Sequence, residues 1–328
     1  MRHGWSAWLL AGLLIVPNAL AKEITPQEVA AWEQDLQVLT KADEFYQYIL
    51  SNDISSLEFA LARLTLPQQE VVRFLLLEHM EEQHLILSPQ VTRFVQSQLS
   101  HTPVYKIREQ GDGYEIVVPV YNSSAVAHRL LKQQAEDHAV LDFVLLAEQN
   151  KLHLQDWLSG QERKPRENLL VDELDSLSPQ AFNVLTEQLV DLSRASWVPS
   201  SSVVAKFAEL SQDQRIYDLL WRMRADSHSR KELQRLSKQG DEFAVSQMIA
   251  ATTNPSLNDI ALNQLTRIHP MPIEVKTFFV EQLQQKEFTE LVATKLREQG
   301  HSNWLEQLAT QSSGIDSKTL LRVLRRSE

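Results

Sequence analysis

The sequence predicts a mainly α protein, an α-solenoid-like helical repeat array with one β-hairpin insertion in its N-terminal half. Three observations predict it. Glycine is scarce, at 8 of 328 residues, while Leu, Gln, Glu and Ala abound, which favours helix over sheet. Helix starts recur near positions 199, 212, 228, 241, 255, 271, 286, 301 and 316, a spacing of about 15 residues. A single stretch, residues 103–121, departs from helical patterning.

Taken in chain order, residues 1–21 read as a cleavable export signal. Arg2 and His3 give a positive start, residues 8–16 an apolar core, and Ala19, Leu20 and Ala21 an A-x-A-like cleavage site after Pro17. That core is about half the length a membrane-spanning helix needs, and no later window reaches it. The expected product is soluble and periplasmic or secreted. With 0 cysteines, disulfides and an N-terminal lipidated cysteine are ruled out, so helix packing must hold the fold.

Thr25, Pro26 and Glu28 form a capping box with proline at the first helical position, predicting one long helix to about residue 50. Asp53 caps a second helix with the stripe Leu57, Ala60, Leu61 and Leu64. Helices are expected over 67–84 and 89–99. Residues 103–121 then alternate apolar and polar from Val104 to Arg108, turn at Gly111, Asp112 and Gly113, and continue β-branched and aromatic to Tyr121. Those are the features of a β-hairpin, with Pro119 at an edge or bulge. Helix returns over 124–149, where the apolar run 139–147 predicts a buried helix, and again over 167–176 and 179–194.

Composition is that of an ordinary globular protein, 43% hydrophobic and 23% charged, with a net charge of −11. The charge is uneven, at −13 over residues 22–200 and +1 over residues 201–328. An acidic whole excludes general nucleic-acid binding. The turn at Trp197, Val198, Pro199 and Ser200 coincides with the charge change, placing the expected boundary between an acidic helical region, 22–198, and a repeat region, 199–328.

Within the repeat region, Asn254, Pro255, Ser256, Leu257, Asn258, Asp259, Ile260, Ala261, Leu262, Asn263, Gln264 and Leu265, followed by Pro272, Val275, Phe278, Phe279 and Leu283, resemble a short HEAT-type repeat. The resemblance covers residues 241–312 best, and the mid-repeat Asp and Arg positions of that family are not present. It implies an α-solenoid whose concave face binds other macromolecules, and it implies no chemistry.

Few residues arrange themselves for chemistry. His79 and His84 are five apart, about 140° around a helix, and His128 and His138 also fall on different faces, so neither pair suits metal. No nucleophile elbow, phosphate-cradling glycine loop or S-x-x-K motif occurs. Asp172, Glu173 and Asp175 are acids of the kind that flank helix ends, and Asp142 lies either on a wet strip or buried with a partner. Tyr217 and Trp221 form a stripe suited to core, and Arg322, Arg325 and Arg326 suit a helix C-terminus.

The one charge concentration that points to a partner is basic. Residues 222–238 hold Arg222, Arg224, Arg230, Lys231, Arg235 and Lys238 against Asp226 and Glu232. Lys231, Arg235 and Lys238 stand at i, i+4 and i+7, within about 60° on one helix face, with Leu233 and Leu236 pointing away. Such a face suits a protein or an anionic envelope component. The expected function is therefore an exported, non-enzymatic binding or scaffold protein without a cofactor, in an oligomeric state the sequence does not set. The alternatives are a cell-envelope polymer hydrolase, or an accessory subunit of one, with its acid near the hairpin, and self-association of the acidic and basic halves.

Overall fold

The computed structural model describes residues 22–110, 113–311 and 314–325. The expected export signal, residues 1–21, lies outside the described residues, as do Gly111, Asp112 and Arg326. The chain is 71% helical, with 18 helices and one small three-stranded sheet among the described residues, a mainly α architecture. No helix among them is long and apolar enough to cross a membrane. Two compact units divide between Ala139 and Val140.

The first unit contains β1 (Lys22–Glu23), α1 (Pro26–Glu33), α2 (Leu36–Leu50), α3 (Ile54–Ala62), α4 (Leu66–Glu82), α5 (Pro89–Gln98), β2 (Tyr105–Gln110), β3 (Glu115–Pro119) and the first part of α6 (Ser123–Glu148). The capping box at Thr25 and Glu28 is present, but the helix it starts is short. Asp35 accepts a hydrogen bond from the Gln37 amide at 2.8 Å and caps a new helix, so the single long helix expected to residue 50 is two, α1 and α2. The hairpin forms as expected, β2 antiparallel to β3 with Ile107 opposite Val118. A strand the sequence did not suggest, β1, pairs parallel to β2 through Lys22 opposite Tyr105. The core gathers Phe45, Leu57, Leu76, Leu77, Met80 and Phe94 with Tyr105 and Tyr121 from the hairpin ends.

The second unit takes the rest of α6, then α7 (Leu154–Trp157), α8 (Arg163–Glu173), a 3-10 turn at Leu174–Ser176, α9 (Pro179–Arg194), α10 (Ser201–Ser211), α11 (Gln214–Arg222), α12 (Ser227–Gln239), α13 (Glu242–Ala251), α14 (Asn258–Thr266), α15 (Ile273–Gln284), α16 (Thr289–Glu298), α17 (Ser302–Gln311) and α18 (Ser317–Arg325). Alternate helices stack. One layer runs α8, α10, α12, α14, α16, α18, and the other α7, α9, α11, α13, α15. Short turns force each helix antiparallel to the next, so two layers enclose one continuous apolar core. Polar contacts repeat with the same period. Glu167 accepts from the Ser200 amide, Lys206 reaches Asp175, Asn254 reaches the Trp221 carbonyl and Arg322 reaches Glu290, each across 31 to 33 residues.

Two expectations differ from the structure. The units divide inside α6, not at residue 199, because Pro199 is buried and Trp197 and Val198 pack on the second unit's core, which runs from Phe143 to Val323. Charge asymmetry thus marks no packing boundary here. The run 139–147 is also only half buried. Phe143 and Ala147 are core, whereas Leu141 and Leu145 are 54% and 46% exposed. Asp142 is exposed, on the wet side of that helix.

Candidate functional site

The basic residues sit on a ridge formed by the end of α11, the next loop and α12. Asp226 caps α12, accepting from the His228 and Ser229 amides at 2.9 and 3.1 Å, and also receives the Ser201 hydroxyl of α10. The loop before it is gripped by the following repeat. The Asn254 amide donates to the Trp221 and Met223 carbonyls at 2.7 and 2.8 Å, while the Ser256 hydroxyl accepts from Ala225 N–H at 3.3 Å. These bonds satisfy carbonyls left open where α11 ends, and so fix the segment carrying Arg222 and Arg224.

On α12, Ser229, Glu232, Leu233 and Leu236 are buried. The opposite face exposes Arg230, Lys231, Gln234 and Lys238, and Arg222 and Arg224 are exposed alongside in sequence. Gly240, at φ 65°, ends the helix in the left-handed conformation that glycine adopts without strain.

Arg235 departs from the expected face of three solvent cations. Its side chain is 30% exposed and its guanidinium is committed inward, to Glu232, to the Tyr217 hydroxyl at 2.9 Å and to Gln239 at 2.8 Å. Tyr217 is fully buried and donates to Glu232, itself 4% exposed, at 2.5 Å. Burial and the Glu232 carboxylate push the Tyr217 phenol far above its ordinary range. The carboxylate likewise raises Arg235. A buried carboxylate needs such a partner, so Glu232 takes Arg235 out of the surface set. Tyr217 and Trp221 are core, as their stripe suggested.

Of the other five cations, Arg230, Lys231 and Lys238 lie on α12, Arg222 ends α11 and Arg224 follows it in the loop. In the layer of α12, Lys164 and Lys318 are likewise exposed and form no ion pair among the described residues, while three cations are matched. Lys206, Lys295 and Arg322 each reach back to an acid of the preceding stacked element, Asp175 at 3.2 Å, Asp259 at 2.5 Å and Glu290 at 3.2 Å. Among the described residues Arg222, Arg224, Arg230, Lys231 and Lys238 form no ion pair. The ridge therefore presents uncompensated positive charge.

A second site lies in the first unit and sequence reasoning missed it. Glu70 and Arg73 of α4, His101, Tyr105, Tyr121 and Ser123 line a cleft of about 300 Å³. Glu70 spends both oxygens on the backbone, accepting from Val104 N–H at 3.0 Å and Tyr105 N–H at 3.1 Å through Oε1, and from Val104 N–H at 3.1 Å through Oε2. Burial outweighs those bonds and raises its carboxyl above the ordinary value. Burial also lowers Arg73, and burial together with the Arg73 charge lowers His101. About thirty residues separate Glu70 and Arg73 from His101 and about twenty more separate that from Ser123, so no local motif announces the cluster.

The remaining candidates have structural places. His79 packs against Tyr46 with ring centroids 4.2 Å apart and planes tilted by 55°, and His84, His128 and His138 are exposed. Asp175 is the partner of Lys206. Among the described residues no group of three or more His, Asp or Glu side chains is placed to hold a metal ion. Compared with known proteins, the chain matches no family model, no curated protein and no solved structure.

Proposed function

We propose that this chain is an exported, non-enzymatic binding or scaffold protein of the cell envelope, periplasmic or secreted, that holds a protein or anionic polymer partner on its helical-repeat surface. The export reading rests on the sequence of residues 1–21. The single observation that carries the binding reading is the concentration of Arg222, Arg224, Arg230, Lys231 and Lys238 within 17 residues, all exposed and forming no ion pair among the described residues. Unpaired, similarly signed charge on a rigid face steers and orients an oppositely charged partner. The test is capture from envelope extract by immobilised residues 22–328, compared with a chain carrying Arg230→Glu, Lys231→Glu and Lys238→Glu. A partner retained by the first and lost by the second supports the reading, and equal capture refutes it. Arg235 is left unchanged in that variant, because reversing it would break the buried bond to Glu232 and confound binding with folding.

A second reading, a cell-envelope polymer hydrolase or an accessory subunit of one, draws on Glu70, a raised carboxyl in a cleft near the hairpin. Its two oxygens already hold the Val104 and Tyr105 amides, which gives Glu70 a clamp's work in joining α4 to β2. Cleavage of purified envelope glycan that disappears in Glu70→Gln would favour this reading over the first.

A further inference from the structure

The cleft of the first unit contains polar groups that the fold itself leaves unused. Arg73 is half buried, its Nε is shut off from solvent without an acceptor, and its guanidinium makes no hydrogen bond or ion pair among the described residues. The Glu70 carboxylate offsets part of its charge, but buried N–H donors of a guanidinium ordinarily need acceptors as well, and these have none among the described residues. Its neighbour Glu70 directs its oxygens to backbone amides.

Ser123 supplies an independent observation. It is 4% exposed, lines the same cleft, and its hydroxyl makes no hydrogen bond among the described residues; only its amide is engaged, to the Tyr121 carbonyl at 3.0 Å. Ser123 also opens α6, a 26-residue helix capped by Asn122, whose Oδ1 accepts from Ala125 N–H at 3.0 Å. The cleft thus receives the positive end of a long helix dipole beside an idle hydroxyl donor and an idle guanidinium. Tyr105 and Tyr121 wall it with aromatic surface.

We propose that this cleft binds a small carboxylate, its oxygens taking the Arg73 guanidinium and the Ser123 hydroxyl at the start of α6 and its apolar body lying against Tyr105. Guanidinium presents paired N–H donors that match a carboxylate's two oxygens. The volume lies at the lower end of small-molecule sites. Glu70 selects charge as well, since a nearby carboxylate opposes a dianionic phosphate more than a monoanion. The carboxylate can belong to a free acid or to a peptide C-terminus, and the chemistry at Arg73 is the same.

The test is calorimetric titration of the protein with N-acetyl-phenylalanine, its carboxamide, the peptide acetyl-Ala-Ala-Phe with a free C-terminus, and inorganic phosphate. Expected are saturable one-to-one binding of a carboxylate, about tenfold weaker binding of the carboxamide and of phosphate, and a loss of about tenfold or more in Arg73→Gln. Ser123→Ala is expected to weaken binding about threefold to tenfold with unchanged thermal unfolding, and it decides the matter if Arg73→Gln fails to fold. The relative affinities of the free acid and the peptide identify the source. Equal binding of acid and carboxamide, phosphate binding tighter than either carboxylate, wild-type affinity in Ser123→Ala, or no saturable binding up to about 10 mM would each overturn the proposal.

Discussion

Arg235 closes on Glu232 from one turn further along α12, with Nε 2.8 Å from Oε2 and Nη2 2.7 Å from Oε1. Two parallel bonds of this kind fix both side chains, and the Tyr217 hydroxyl completes the group from α11. Truncating the acid strands a guanidinium and a phenol against each other. Glu232→Ala is expected to lower unfolding free energy by about 3 kcal/mol, against about 0.5 kcal/mol or less for Arg230→Ala on the exposed face. Urea denaturation of the two variants compares them, and equal small losses would show that the group does not hold α11 to α12.

Asn254 is the second point at which the ridge depends on its neighbour. Its amide nitrogen serves two carbonyls, while its Oδ1 accepts from Ser256 N–H at 2.9 Å. Asn254→Ala leaves those carbonyls without a donor, an expected cost of about 1–3 kcal/mol. Amide exchange should quicken at Met223, Arg224 and Ala225 more than within α12. Uniform quickening would mean that the substitution loosens the whole array.

Acid should destabilise the repeat unit through its caps. The Arg215 side chain holds the Asp213 carboxyl below its ordinary value, and the Ala244 amide with the Gln239 side chain does the same for Asp241. A carboxyl with a folded pKa below its unfolded value contributes stability above the unfolded value, about 3.9, and loses that contribution as pH falls through the lowered one. The urea midpoint should therefore hold from about pH 7 to pH 5 and fall below about pH 4. Replacing both acids, Asp213→Asn with Asp241→Asn, should flatten that fall. An undiminished fall would assign it to other groups.

Where local pattern decides structure, the sequence was legible. The nine starts expected across residues 199–328 fall within three residues of the observed α10 to α18, because each helix has its own apolar stripe and short turn. The split between α1 and α2 escaped notice because Asp35 lies inside an otherwise continuous helical stretch, and β1 because two residues carry no period. Arg235 was misplaced by a geometric near-miss. It lies about 40° from Lys231 around the helix, and that is enough to bring it over Glu232 rather than into water. The Arg73 cleft was invisible for a different reason. Its side chains come from α4, the segment before β2 and the start of α6, and only tertiary packing joins them.

The most direct measurement of the ridge's role is the salt-dependent affinity of the captured partner for the chain with and without Arg230→Glu, Lys231→Glu and Lys238→Glu. The unaltered protein should bind more weakly as ionic strength rises from about 0.05 to 0.5 M, since screening shortens the reach of exposed charge. The reversed variant, with unchanged urea stability, should bind at least about tenfold more weakly at low salt and lose most of that salt dependence. The same affinity and the same salt dependence in both proteins would contradict a partner surface on Arg230, Lys231 and Lys238.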